Sequence, residues 1–180
     1  MDCSQAVRQW ILTPSFVGSN PTNPAIIREN PEVRKKSLQV GISQISGASK
    51  TSVGGYANPE PEEENSAQFD ISDNRTLDEV IKWLLEMDFI PSFCTACYRA
   101  GRTGDRFMEL CKSKQIQNCC HPNALITLKE YLEDYALPET KALGNLKITK
   151  EIPNIPNENT KRQLIEILDK VKKGERDFRF

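Results

Sequence analysis

Apolar positions recur at helical spacing in several stretches of the 180-residue chain. Leu77, Val80, Ile81, Leu84 and Leu85 form one stripe running through Met87, which predicts an amphipathic helix. Thr76-Leu77-Asp78-Glu79 opens it as a capping box, Thr76 capping and Glu79 reaching back. Trp83 lies off the stripe, where it would cover a neighbouring helix. After Pro122, Leu125, Leu128, Leu132 and Tyr135 line one side of a second helix. Leu164, Ile165, Ile167, Leu168 and Val171 give a third, capped by Asn159 or Thr160 and stopped at Gly174. Two shorter helices are expected. One is capped by Asn30, with Pro31 at its first position, and ends near Gln39. The other spans Asp105 to Lys114, with Phe107, Met108, Leu110 and Cys111 on overlapping faces, so Cys111 reads as a core residue. Pro138 to Pro156 is weakly patterned, and only Leu146 to Ile152 offers a further helix. No internal repeat is present.

The remaining apolar runs are short. Ala25-Ile26-Ile27 reads as the remnant of a strand, and Val40 to Ser46, bounded by glycine, as a buried strand. Phe89 to Phe93 reads as a strand that delivers Cys94 at its end. Strand, loop, helix and strand in this order predict a βαβ crossover and a parallel sheet. The run GASKTSVGGYA is a Gly- and Ser-rich loop, open to either a site role or a flexible turn. NPEPEEEN, from Asn58 to Asn65, is an acidic solvated loop.

Charge excludes some partners. With 24 basic and 25 acidic residues the net charge is −1, so no basic excess points to nucleic acid. No apolar run approaches the ~18 residues of a membrane span, and the N-terminus has no secretory pattern. The expectation is a soluble protein of the cytoplasm, or of an organelle in a eukaryotic source.

Five of the six cysteines, and the only histidine, lie between Phe89 and Pro122. Cys94 and Cys97 are separated by Thr95 and Ala96, so one tight turn can aim both thiolates at one metal centre. Cys120 follows Cys97 after 22 intervening residues, with Cys119 beside it and His121 after it. Clustering at this spacing fits a reducing compartment and a metal better than a disulfide scaffold. By spacing alone three readings stay open: buried small hydrophobes, zinc, or an iron–sulfur cluster.

The runs IPSFCTACYRAGRTGDRFM, CCHPNALITLKEYLEDYA and RDFRF closely resemble the radical SAM tyrosine lyases that mature FeFe hydrogenase, the HydG family. GISQISGASKTSVGGYANPEPEEENSAQFDISDNRTLDEV is similar to the same family. The likeness runs from about Ala25 to Phe180, and the family's Cys-x2-Cys-x22-Cys motif falls on Cys94, Cys97 and Cys120 without a gap. It implies an α/β chain: residues 25–93 as the C-terminal part of a radical SAM TIM-type (β/α) barrel, and 94–180 as a helical iron–sulfur domain. Residues 1–24 do not share it. GSNPT within them is what the T-arm of a transfer-RNA gene reads as when translated, so a misassigned start, an assembly junction or a disordered leader is expected there.

The resemblance further implies a 4Fe-4S auxiliary cluster on Cys94, Cys97 and Cys120, with one iron open to a small molecule. There the family builds an iron–carbonyl–cyanide product from tyrosine-derived carbon monoxide and cyanide, using labile iron, alongside other hydrogenase maturation proteins. The radical that cleaves tyrosine starts at a separate cluster bound to S-adenosyl-L-methionine through Cys-x3-Cys-x2-Cys, a motif these 180 residues lack. The chain alone is therefore not expected to cleave tyrosine. Arg99, Arg102 and Arg106 flank the cysteines and are either solvated or close enough to hold an anionic ligand. His121 has no ligand role in the family, which makes it a supporting or capping residue. Cys119 could replace Cys120 by a one-residue slip, but the family register favours Cys120. Two alternatives stand beside this reading. One is a zinc-stapled binding module with His121 as fourth ligand; the other is a relative of the thiamine-pathway tyrosine lyase, 2-iminoacetate synthase, which should lack this cysteine register.

Overall fold

Thr76 caps a helix in the way the sequence predicts. Its hydroxyl accepts from the Glu79 amide at 3.3 Å, and the Glu79 carboxylate accepts from the Thr76 amide at 2.7 Å. In the computed structural model the described residues are 29–40, 45–50, 72–101 and 105–180. The leader, Ala25-Ile26-Ile27, most of the Val40–Ser46 run, most of the glycine-rich loop, and Arg102 lie outside them.

Seven α-helices are found among the described residues: α1 (Pro31–Gln39), α2 (Leu77–Glu86), α3 (Ala96–Arg99), α4 (Asp105–Lys112), α5 (Cys120–Asp134), α6 (Pro138–Glu151) and α7 (Glu158–Lys172). Asn30 caps α1, accepting from the Val33 amide at 3.0 Å, with Pro31 in the first turn. α7 is capped by Asn157, two residues before the expected Asn159, through the Asn159 and Thr160 amides.

α5 is the central element, packed against both α6 and α7, and α6 also packs against α2. The large apolar residues that α5 buries are Leu125, Ile126, Leu128, Tyr131 and Leu132. Tyr135, expected on that face, is 76% exposed. The true stripe takes Tyr131 instead, four residues before Tyr135. From α2 come Val80, Ile81, Leu84 and Leu85, and from α7 Leu164, Leu168 and Val171. Ile165 of α7 is exposed rather than inward. Cys111 is buried, as its helical position predicts. Burial of these aliphatic side chains, at about 25 cal/mol per Å² of apolar surface, is the main force holding the bundle.

The expected parallel sheet does not appear among the described residues. Val40 caps the end of α1 and is 76% exposed, so it is no buried strand residue. In the Phe89–Phe93 segment only Ile90 makes a bridge. The apolar character of that segment answers to helices: Ile90 is buried, and Phe89 and Phe93 pack on the core. The Phe93 amide donates to the Thr127 hydroxyl of α5 at 3.1 Å instead of to a neighbouring strand. The described part of the chain is thus a helical bundle with one extended segment laid on it, and no barrel is seen.

Polar contacts tie the periphery down. The Asp78 carboxylate accepts from the Thr140 hydroxyl at 2.6 Å and from the Tyr131 hydroxyl and Leu137 amide, both at 3.2 Å. Buried Arg34 donates to Asp73 and to the Ser46 carbonyl. Arg75 donates to Asp73 at 2.7 Å and lies 4.3 Å above the Trp83 ring. Trp83 is therefore covered by a guanidinium as well as by apolar neighbours. The RDFRF run lies along α5. The Phe180 amide donates to Asn123 Oδ1 at 2.8 Å, Asn123 Nδ2 donates back to the Phe180 carbonyl at 3.3 Å, and Arg176 pairs with Asp134.

Candidate metal centre

The first two cysteines stand where an extended segment turns into a helix. Cys94 follows Phe93, whose ring stacks on Tyr131 and whose amide is held by Thr127, so α5 fixes the approach to the turn. α3 then begins at Ala96, and its first amides have no partners inside the helix. The Ala96 amide is directed at the Cys94 sulfur, where it favours the thiolate. Cys97 lies one residue further, inside the same turn.

Cys119 and Cys120 come from elsewhere in the chain and reach the same region. Cys119 stands at the N-terminal cap position of α5 and Cys120 is its first residue. Their sulfurs are 3.7 Å apart, and the Cys119 thiol also lies 3.4 Å from the Gln115 carbonyl. All four cysteines are partly buried.

The four thiols lie near enough to act on one another's charge. Burial pushes the Cys94 thiol up, and the charges of Cys97 and Cys119 add to this, while the Ala96 amide and the Arg99 charge oppose it. The Cys120 thiol is driven up strongly by its hydrogen bond with Cys119, then by burial and by the charges of Cys119, Cys97 and Cys94. Thiolates that destabilise one another in a half-buried site are stabilised by a soft cationic centre, which takes up their charge. The donor set thus fits a thiophilic metal or an iron–sulfur core. Among the described residues no three of these groups stand close enough to grip a single metal ion together. Cys94, Cys97 and Cys120 are gathered without being closed around one ion.

The other candidates separate. Arg99 is exposed but acts on Cys94 through its charge. Arg106 is exposed on α4, and Arg102 falls outside the described residues. His121 turns inward: its Nε2 is 3.3 Å from Glu151 Oε2, and Glu151 Oε1 is 2.8 Å from Lys147 Nζ. The adjacent His121 ring, then the hydrogen bonds from Lys147 and Asn154, hold the Glu151 carboxyl down at about 2 against the opposing effect of burial. Sequence reasoning missed Glu151, Lys147 and Thr127. The one signal for the first two was their i, i+4 spacing in a stretch too polar to read as a buried helix face.

Four partly buried cysteines set between a short turn and the first residue of a central helix define the class by its donors, a helical domain with clustered thiols. The particular likeness is to HydG. A crystal structure of HydG, described as a maturase of the FeFe-hydrogenase, matches with 44% identity and a TM-score of 0.76 over 86% of this chain. The chain is HydG-like over that extent, and it spans 33% of that HydG chain. No family profile and no curated protein matches the chain.

Proposed function

We propose that the chain is the part of a HydG-type hydrogenase maturase that holds an auxiliary 4Fe-4S cluster on Cys94, Cys97 and Cys120. The observation that carries this reading is the gathering of Cys120 with Cys94 and Cys97 across 22 intervening residues, in a chain 44% identical to HydG. Bound there, such a cluster would supply an iron without a protein ligand, at which a small molecule can be held. The protein's residues do the rest. Ala96 and Arg99 stabilise the Cys94 thiolate, and Phe93 with Tyr131 forms an aromatic support behind it. The activity proposed is assembly of an iron–carbonyl–cyanide product from tyrosine-derived carbon monoxide and cyanide with labile iron. Tyrosine cleavage belongs to a cluster bound to S-adenosyl-L-methionine, for which these residues carry no motif. The barrel boundary at residue 93, association with other maturation proteins and a reducing, cytoplasmic setting are parts of the same proposal.

Zinc is the second reading, favoured by His121 standing next to Cys120. Against it, His121 Nε2 faces a buried carboxylate, which makes the ring a member of an ion network. Anaerobic purification followed by metal analysis separates the two. Iron and inorganic sulfide in a near 4:4 ratio per chain support the cluster, as expected for a cubane; stoichiometric zinc that resists replacement contradicts it.

A further inference from the structure

Beginning at the residue next to Cys120, three ionisable side chains are packed together out of water. His121, Glu151 and Lys147 have side chains 7%, 6% and 4% exposed. His121 is the residue after Cys120 in the first turn of α5, while Glu151 and Lys147 lie at the end of α6. The chain of contacts continues outward from Lys147 Nζ to Asp88 Oδ1, 2.8 Å away, where the carboxylate meets solvent.

Stability alone is a poor reason for this arrangement. Replacing buried ion pairs with apolar side chains of similar size is often neutral or favourable, because desolvating charges is costly. The α5–α6 contact has apolar material at hand in Leu132 and Ile148. A fixed carboxylate and ammonium do have one effect that apolar residues cannot supply: in a poorly solvated interior their fields reach neighbouring groups with little screening. Charge close to an iron–sulfur centre is one of the levers on its reduction potential.

We propose that Glu151 and Lys147 are positioning residues that, through His121, orient Cys120 and set the reduction potential of the centre it helps to hold. Glu151 favours the oxidised state and Lys147 the reduced one. This rests on the cluster reading above. The two fail differently: that reading fails if the unsubstituted chain binds no iron, whereas this one fails if iron is bound and its potential does not respond.

The test is redox titration of the full chain after anaerobic reconstitution with iron and sulfide, followed by paramagnetic resonance. Glu151→Gln should raise the midpoint potential and Lys147→Met should lower it, each with unchanged iron per chain. The double variant should return near the starting value. Shifts of the same sign, or no shift in either variant, would overturn the inference. Should Glu151→Gln fail to hold iron, Asp88→Asn keeps the question decidable. Asp88 has a side chain 60% exposed and a φ of 66°, a conformation asparagine adopts readily. A smaller rise in potential supports the network, and an unmoved potential overturns it.

Discussion

Phe93 stacks on Tyr131 with ring centroids 5.3 Å apart and planes 21° from parallel. This contact fastens the segment ending in Cys94 to the helix that begins with Cys120. Phe93→Ala should therefore destabilise the fold by about 1–3 kcal/mol, since the ring is only partly buried. It should also reduce iron uptake more than a global loss of that size explains. Tyr131→Phe keeps the ring and removes the hydroxyl bond to Asp78, for about 1 kcal/mol. Denaturant melts with iron analysis of the same samples check both. Equal iron uptake by Phe93→Ala and the unsubstituted chain would show that the stack does not position Cys94.

Gly144 lets α6 approach α5. A Cβ there would run into Leu132 Cδ1 and stand 2.6 Å from Cδ2, and Leu132 is fully buried. Gly144→Ala should thus destabilise by about 1–3 kcal/mol through overpacking, although alanine gains ~1 kcal/mol in helix propensity. Pairing it with Leu132→Ala should give less than the sum of the two losses, because the cavity accepts the methyl. Additive losses in urea melts would contradict this.

The same helix shows where sequence reading stops. Its inward stripe is Thr140, Gly144, Lys147, Ile148 and Glu151, which has helical spacing but a single large apolar residue. A search for hydrophobic periodicity finds only the end of it, and takes in Leu146, which is 68% exposed. Helices α2, α5 and α7 were legible because their buried faces are aliphatic. Phe89–Phe93 misled for the opposite reason: an apolar run of strand length is also what an extended segment needs to lie on a helical core. Within the site, Cys94, Cys97 and Cys120 are candidates that spacing and resemblance single out, and their role as ligands is part of the proposal. Glu151 was not, since a buried carboxylate is visible only with its partners.

Glu151 also sets an acid limit on stability. Its carboxyl is held at about 2, below the ordinary value of about 4.3. A lowered folded-state value contributes stability that is complete above the unfolded value and lost as pH falls through the folded one. Its contribution, on the order of 2–3 kcal/mol, should fade between about pH 5 and pH 2. Glu151→Gln should lower the melting temperature at pH 7 and bring the two proteins closer together toward pH 2. A difference that stays constant across that range would mean Glu151 is not held ionised by its neighbours.

The central claim is that Cys94, Cys97 and Cys120 together hold an iron–sulfur centre. Its most direct test is a substitution series reconstituted anaerobically with iron and sulfide, followed by absorbance and paramagnetic resonance after reduction. Cys94→Ala, Cys97→Ala and Cys120→Ala should each abolish the brown chromophore and the reducible signal. Cys111→Ala and His121→Ala should retain both, and so should Cys119→Ala. Retention of the signal in any of the first three, or zinc bound in the unsubstituted chain and lost in His121→Ala, would contradict the account.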